Sequence, residues 1–504
     1  MSDAFSLGQV PGMVENLHLI KSGLMARHGR PKSRIQTGFG PWWLGVIATG
    51  AILTNSGVAA QTPEQIELGR QLFMEETFDG NGRTCATCHP PSNNFTVDPA
   101  YIRTLKGNDP LFLVGPSMPE LKSIEVRNLI RNSALFLENV DGLDQPGVLR
   151  SVPHTLALRT SLNPDSNVTK THATGWSGDG APGAGSIRDF ATGAVIQHFT
   201  KRPNRIAGID FRLPTEQELD ALEAFQLSLG RQEDVILANL TFADDFVEAG
   251  KALFEGAPSR DGDGRRCSGC HSNAGAQDED GINRNRATGA AQHPNAPACL
   301  AGFIAPLDGG FGSNPDTTIS RADVCGKGPK GGPKALATYQ GDETMNTPPL
   351  IEAADTPPFF HNNIVDTIEE AVEFYTSEAF NESLTGDGNA FVLTQDQINH
   401  IGAFLRALNV LENIRSSNAY DGRAIDQAEL APRELLVELA IAETTDAIEV
   451  LTEGPVQLFA ETVDLLRDAR ELEQQALAQN PPNAELLEEA IALKEAARGE
   501  MVAP

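Results

Sequence analysis

The chain of 504 residues is long enough for two or three domains, each with its own hydrophobic core. It carries 68 acidic and 39 basic residues, which gives a formal net charge of −29 at pH 7. A surface this acidic argues against binding to nucleic acid or to an anionic membrane. It is compatible either with electrostatic attraction of a basic partner protein or with solubility alone.

The first 60 residues have the order that is typical of a secretory signal. Basic residues between Lys21 and Arg34 precede an apolar run from Trp42 to Leu53, and Val58-Ala59-Ala60 offers small residues for cleavage. The apolar run is shorter than the ~20 residues that a spanning helix needs, which favours cleavage over a retained membrane anchor. We therefore expect a periplasmic or otherwise exported protein with no stable membrane span after cleavage.

Two copies of the pattern CxxCH follow, as Cys85-Ala-Thr-Cys88-His89 and Cys267-Ser-Gly-Cys270-His271. In this pattern two thiols one helical turn apart can bond to the vinyl groups of a porphyrin, and the adjacent histidine ligates the iron. A zinc site is the alternative for a single copy, but here both copies follow a Leu-Phe helix and a Gly/Asp loop. The sequence therefore predicts a c-type cytochrome with two covalently bound haem c groups.

The remaining cysteines, Cys299 and Cys325, lie in a loop rich in Gly, Pro and Asn. An oxidising compartment would preserve a disulfide between them, and two free thiols are the alternative. The sequence favours the disulfide because export and the haem motifs point to the same compartment.

An internal duplication surrounds the two motifs. Glu67-Leu-Gly-Arg-Gln-Leu-Phe73 precedes the first motif, and Glu248-Ala-Gly-Lys-Ala-Leu-Phe254 precedes the second. Downstream, residues 213–229 resemble residues 393–408, and each segment has a Thr at the predicted N-cap and apolar residues at helical spacing. Each half thus runs from a first helix through CxxCH and a variable loop to a closing helix, the plan of a small cytochrome c domain.

These patterns predict a mainly α fold with two cytochrome c-like haem domains joined by long loops. After the signal peptide (1–60) we predict an N-terminal haem domain (61–235), a C-terminal haem domain (236–412) and a helical extension (413–504). The extension is rich in Glu, Ala and Leu at helical spacing. It would either pack against the haem domains or mediate formation of a homodimer.

The segment from Asn346-Thr-Pro-Pro-Leu to Thr-Pro-Pro-Phe-Phe-His361, followed by residues 367–375, resembles the bacterial dihaem cytochrome c peroxidases and their MauG relatives. With both haem motifs and the Gly175-Trp176-Ser-Gly-Asp-Gly segment, the resemblance covers roughly residues 63–411. It implies that the N-terminal haem is the peroxidatic one and that the C-terminal haem transfers electrons.

In that family the second haem takes a distal ligand from the helix after the Phe-His segment, Met in the peroxidases and Tyr in MauG. Tyr375 stands at this position, fourteen residues after His361, which is the family's spacing. Such a ligand favours ferric iron. The alternatives are a core tyrosine and ligation by His361.

Trp176 falls where relatives place a tryptophan between the haems, so it is either an electron relay or a core aromatic.

The distal side of the first haem departs from the peroxidases. Their blocking histidine in the loop after the first motif has no counterpart, since no histidine occurs between His89 and His154. The resemblance therefore implies a permanently open iron, as in MauG.

Relatives also place a Gln and a Glu on the distal helix for peroxide heterolysis. Here Phe190 stands near the Gln position and no Glu follows. Aligning the sequences of the two helices matches His198 with Tyr375. Three roles for His198 stay open: a proton shuttle, a sixth ligand, or a histidine bonded to a propionate or the backbone.

In relatives a calcium ion between the domains takes carbonyl oxygens from a Thr and a Pro, here Thr356 and Pro358, and an Asn side chain. The oxygen-rich pattern suits calcium. Ser151 stands at the Asn position, and the lost amide argues against the site.

The leading hypothesis is a peroxidase-like dihaem oxidoreductase that reduces hydrogen peroxide or uses it to oxidise another substrate. Its electrons would come from a donor protein such as a small basic cytochrome or a cupredoxin. Two alternatives stay open. One is a dihaem electron-transfer protein without catalysis, and the other is a dioxygen-using oxygenase related to the rubber oxygenases, which the apolar Phe190 suggests.

Overall fold

The computed structural model describes residues 61–113, 118, 120–121, 127–138, 148–162, 186–256, 266–290, 293–294, 318–320, 338–340, 345–388 and 390–503. The predicted signal region, Trp176, Cys299 and Cys325 lie outside the described residues, so what we predict for them stays a prediction. The described residues lie within one compact unit, 56–504. They are mainly helical, which confirms the predicted fold class. No helix among them is long and apolar enough to cross a membrane.

The first half is built on helices that surround the first CxxCH motif. In its described part these are α1 (Pro63–Glu75), α2 (Cys85–Cys88), α3 (Pro99–Thr104), α4 (Arg127–Ser133), α5 (Ile187–His198) and α6 (Glu216–Leu227). A short antiparallel ribbon pairs β1 (Phe136–Glu138) with β2 (Val148–Arg150). The first motif thus forms a single helical turn of its own, α2.

The second half repeats this plan around the second motif. Its described helices are α7 (Asp245–Gly256), α8 (Ile368–Phe374), α9 (Glu378–Asn381) and α10 (Gln395–Asp426). Two antiparallel ribbons pair β3 (Asn285–Arg286) with β6 (Met345–Asn346), and β4 (Thr318–Ser320) with β5 (Thr338–Gln340). Short 3₁₀ helices cover Pro91–Asn93, Pro110–Phe112, Leu158–Ser161, Leu237–Asn239, Cys267–Gly269 and Ser272–Ala274.

The two closing helices begin at the threonines that the sequence predicts as N-caps. The Thr215 hydroxyl accepts a hydrogen bond from the backbone N–H of Glu218, and the Glu218 carboxylate accepts from the Thr215 backbone N–H. Thr394 and Gln397 make the same reciprocal pair at the start of α10. Both are capping boxes, which satisfy N–H groups that have no partner inside the helix.

A close helix crossing at a glycine recurs in both halves. A Cβ atom at Gly69 on α1 would lie 1.9 Å from the carbonyl oxygen of Ala221 on α6. A Cβ atom at Gly250 on α7 would lie 1.8 Å from the carbonyl oxygen of His400 on α10. Only glycine allows this approach, so the repeated Gly that revealed the duplication fixes the same helix contact twice.

A phenylalanine pair supports each crossing. The ring centroids of Phe73 and Phe225 are 5.2 Å apart in the first half, and those of Phe254 and Phe404 are 5.3 Å apart in the second. All four side chains are buried. The packing of first helix against closing helix is therefore matched between the halves in aromatic contact as well as in backbone approach.

The extension continues directly from the second half. Helix α10 runs through the predicted boundary at residues 412–413, and three further helices follow: α11 (Leu430–Thr452), α12 (Ala460–Leu477) and α13 (Ala484–Met501). Helix α10 packs along α11, and α12 packs along α13. The extension thus packs on the closing helix of the second half, which is one of its two predicted roles.

A fully buried ionic cluster lies among the helices of the extension. The Lys494 Nζ atom is 2.6 Å from both Asp421 Oδ2 and Glu473 Oε1, and 2.7 Å from Ser417 Oγ. Burial raises the pKa of the Asp421 carboxyl. Because two buried carboxyls face one ammonium, the cluster is neutral when one carboxyl keeps its proton.

Candidate dihaem site

A cavity of about 670 Å³ brings the two CxxCH motifs together. Its wall includes every side chain of the motifs that can bond to haem: Cys85, Cys88, His89, Cys267, Cys270 and His271. None of these four cysteines forms a disulfide. Burial raises the pKa of the Cys85 and Cys267 thiols to about 12, so both are protonated at neutral pH. All four thiols are thus available for bonds to the haem vinyl groups.

The histidine of each motif is buried and oriented by backbone carbonyl groups. The Nδ1 atom of His89 lies 2.8 Å from the Phe95 oxygen, and Nδ1 of His271 lies 3.1 Å from the Pro348 oxygen and 3.2 Å from the Gly275 oxygen. A carbonyl only accepts, so Nδ1 must donate. Burial lowers the pKa of each imidazole to about 4. Both rings are therefore neutral with an unprotonated Nε2, the state that ligates a metal.

These carbonyl contacts extend the duplication to a segment that the sequence comparison did not pair. The backbone of Pro153 acts on the His89 ring, as that of Pro348 acts on His271. Arg150-Ser-Val-Pro153 thus corresponds to Met345-Asn-Thr-Pro348. Each half uses a proline carbonyl from its later loop to orient the motif histidine.

Four arginines on the cavity wall fit the acidic groups of haem. Arg83 and Arg150 come from the first half, and Arg266 and Arg286 from the second. Arg83 is 1% exposed and donates to the Leu111 carbonyl oxygen over 2.6 Å. Each haem carries two propionates, and guanidinium groups bind carboxylates well in buried places. Thiols, neutral histidines and arginines together make a residue set that fits two haem c groups.

Tyr375 lies on the cavity wall near the second motif. Its ring is surrounded by Phe374, Phe380 and Phe391, with centroid distances of 5.4, 5.0 and 6.3 Å. Burial raises the pKa of its phenol, and the neighbouring Cys270 adds to this effect. The structure therefore brings Tyr375 to the cavity beside the second motif. The competing ligand His361 lies on the same cavity wall.

Helix α5 presents one face to the cavity beside the first motif. Phe190, Ala194 and Gln197 share this face at the spacing i, i+4, i+7, and His198 also lines the cavity. Gln197 is 7% exposed. The sequence pattern indicated Phe190 and His198 as site residues but not Gln197. Helical spacing from Phe190 would have identified it.

His154 is a second cavity residue that the sequence analysis did not select. It is 5% exposed, and burial lowers the pKa of its imidazole to about 4, with a smaller effect from nearby His89. It follows Pro153, whereas Pro349 follows Pro348 in the second half. The repeated Pro in the two loops was the available signal. The surroundings of His89 therefore include a second imidazole, that of His154, where the surroundings of His271 have Pro349 at the matching position.

The residues expected to bind calcium come from both halves. Thr356, Pro358 and Ser151 all line the cavity. The Ser151 N–H donates to the His361 oxygen over 2.8 Å, and the Thr356 hydroxyl donates to the Glu352 oxygen over 2.9 Å. Within the described ranges, no group of three or more His, Cys, Asp or Glu side chains is placed to hold a metal ion. The calcium site stays a prediction.

The chain is similar to a distant relative among known proteins. No protein-family model matches the chain. A protein named cytochrome-c peroxidase IdrP2, from Pseudomonas sp. (strain SCT), is 26% identical over 321 residues, which is 63% of this chain and 74% of that protein. This similarity supports a relationship between the chain and a cytochrome c peroxidase-like family.

Proposed function

We propose that this protein is an exported dihaem c-type oxidoreductase of the peroxidase and MauG type, which reduces hydrogen peroxide or uses it to oxidise another substrate. The observation that carries the proposal is the shared cavity, where both CxxCH motifs meet with neutral histidines. The name of the distant relative supports the choice of peroxide.

Bound haem would supply redox-active iron at each motif, and the chain would supply the rest. His89 and His271 would hold the two groups through Nε2, because backbone carbonyls engage Nδ1. Reduction of hydrogen peroxide to two water molecules consumes two electrons and two protons. Gln197 would donate an amide hydrogen bond to peroxide, and His198 would carry a proton from one peroxide oxygen to the other. Phe190 would limit the access of water on that side.

The second half would store and deliver electrons. We propose that Tyr375 would ligate the iron of the second haem, since it lies by the motif cysteines and no methionine occurs between Met345 and Met501. The phenylalanine shell around it would keep this side dry. Trp176 is proposed as the relay between the two haems from the family resemblance. The electrons would come from a basic cytochrome or cupredoxin, attracted by the acidic surface.

Spectroscopy of the ferric protein with both haems attached tests the proposal. We expect a high-spin component from an open first haem, and a spectral change when peroxide is added without any reductant. A fully low-spin spectrum that peroxide leaves unchanged would instead identify an electron-transfer protein. A requirement for prior half-reduction would contradict the open first haem.

The dioxygen alternative depends on a distal wall without polar groups. Phe190 does line the cavity, but the buried amide of Gln197 lies on the same helix face. An amide can donate a hydrogen bond to peroxide, so we favour peroxide. Oxygen consumption by the peroxide-free protein with a polyisoprene substrate would reverse this preference.

A further inference from the structure

A buried ion pair joins the helix that ends at Tyr375 to the closing helix of the second half. Arg406 on α10 donates from Nε to Glu369 Oε1 over 2.8 Å and from Nη2 to Glu369 Oε2 over 2.7 Å. The two residues are 6% and 8% exposed. This paired geometry fixes the direction of both side chains, and Glu369 lies in the first turn of α8, six residues before Tyr375.

The same arginine also contacts the C-terminal extension. Its Nη1 atom donates to the Val450 carbonyl oxygen over 3.3 Å. Val450 belongs to the last turn of α11, where carbonyl groups lack a partner inside the helix, so a cationic donor is favourable there. Arg406 therefore links three elements: the Tyr375 helix, the closing helix and the end of the first extension helix.

Two glycines pack directly against the side chains of this ion pair. A Cβ atom at Gly454, just after α11, would lie 2.9 Å from Arg406 Nε. A Cβ atom at Gly402 on α10 would lie 2.7 Å from Glu369 Oε1. The guanidinium and the carboxylate are thus held between backbone segments, and a small shift of either segment must move the pair.

In the first half, the position that matches Arg406 is apolar. Phe225 and Phe404 occupy matching places in the two helix crossings, so Leu227 corresponds to Arg406. Leu227 is buried and apolar. At this matched position, the described residues form an ionic link in the half that carries Tyr375 and packs against the extension, and an apolar contact in the other half.

We propose that Arg406 is a positioning residue through which the C-terminal helices hold the Tyr375 helix at the second haem. The proposal rests on the proposed function, in which Tyr375 ligates that haem. It gives the extension a role in the electronic properties of the second haem, beyond a role in stability.

The experiment compares single substitutions in the full-length protein with both haems attached. Tyr375→Phe defines the spectral difference that loss of the ligand produces. Arg406→Met removes the link, and Gly454→Ala displaces the guanidinium without leaving a buried charge unpaired. Gly422→Ala is the matched control, because a Cβ atom at Gly422 on α10 meets no atom within 4 Å. The readouts are the ferric absorption and paramagnetic resonance spectra and the melting temperature.

We expect Arg406→Met and Gly454→Ala to show part of the Tyr375→Phe difference spectrum, and Gly422→Ala to show none of it. If Tyr375→Phe changes the spectrum and neither link variant does, even with a lower melting temperature, Arg406 is merely structural and the inference is wrong. If Tyr375→Phe itself leaves the spectrum unchanged, the proposed ligand is wrong. If Arg406→Met does not fold, Gly454→Ala decides.

Discussion

The Nδ1 atom of His89 lies 2.8 Å from the carbonyl oxygen of Phe95, six residues further along the chain. This contact fixes the tautomer of a buried imidazole and leaves Nε2 unprotonated, the form that can ligate a metal. The loop that follows the motif thus orients its histidine. His271 reaches the same state with the oxygens of Gly275 and Pro348.

Because each motif is complete in itself, we predict that each haem is attached independently. The double variant Cys85→Ala with Cys88→Ala should lower the covalent haem content from two to one per chain. The corresponding pair at Cys267 and Cys270 should do the same. The pyridine haemochrome assay on denatured, acid-extracted protein measures this content. Retention of two covalent haems in either variant would contradict the assignment.

Replacing Tyr375 with Phe should change the ferric spectrum of the second haem and raise its reduction potential. A phenolate stabilises ferric iron, and Phe keeps the packing against Phe374 and Phe380 while removing the oxygen. A spectroelectrochemical titration measures both effects. The matched variant His361→Gln tests the competing ligand. If His361→Gln changes the ferric spectrum and raises the reduction potential and Tyr375→Phe does neither, His361 is the ligand.

Features carried by contiguous residues were predictable from the sequence, and features made by chain segments that meet in space were not. The haem motifs, the repeated glycines and the capping boxes at Thr215 and Thr394 are local patterns. The contact of Pro153 with His89 depends on a loop that returns over sixty residues later, and the Glu369–Arg406 pair joins positions 37 residues apart. Composition suggested an extension but could not show that α10 runs into it without a break.

The buried amide of Gln197 should contribute to the reaction with peroxide. Gln197→Leu keeps a similar volume and removes the hydrogen-bond donor, so we expect a fall of about 100-fold in the rate with peroxide. Gln226→Leu is the control, because Gln226 is equally buried and also lines the cavity but lies on α6 and donates to the Leu222 carbonyl. Stopped-flow absorbance measures both rates. Equal rates in the two variants would exclude a specific role for Gln197.

The helix crossings should be intolerant of any side chain. Gly69→Ala forces a Cβ atom against the Ala221 oxygen, so we expect the free energy of unfolding to fall by about 1–3 kcal/mol. Gly250→Ala should behave alike against His400. On α10, Gly422→Ala has open space and should instead gain up to ~1 kcal/mol from helix propensity. Urea unfolding measures these differences. A stabilised Gly69→Ala variant would show that the helices can move apart.

A cluster of half-buried acidic residues joins the first half, the second half and the extension. The Asp446 carboxylate accepts from the Asn94 amide over 3.2 Å, and that amide also donates to the Asp355 backbone oxygen over 3.1 Å. Asp355 accepts in turn from Asn413, which also donates to Glu443. Burial raises the pKa of Asp446 to about 8 and that of Asp355 to about 6, and it raises the pKa of Glu443 as well.

These raised pKa values predict that stability falls as pH rises. The folded chain holds a proton on Asp446 up to about pH 8 and one on Asp355 up to about pH 6, whereas the unfolded chain releases both near pH 4. The free energy of unfolding therefore decreases from pH 4 to pH 8, most steeply below about pH 6. Asp446→Asn keeps an oxygen that accepts from Asn94 and removes one titrating group. It should be more stable than the parent at pH 8, by on the order of a few kcal/mol, and should show a shallower pH dependence.

Asp464→Asn, at an exposed carboxylate on α12, should leave the pH profile unchanged. Urea unfolding at pH 5, 6, 7 and 8 measures the profiles. A parent protein whose stability rises from pH 5 to pH 8, or an Asp446→Asn profile parallel to the parent's, would show that these carboxyls are ionised in the folded protein and that the Asn amides are sufficient to compensate their charge.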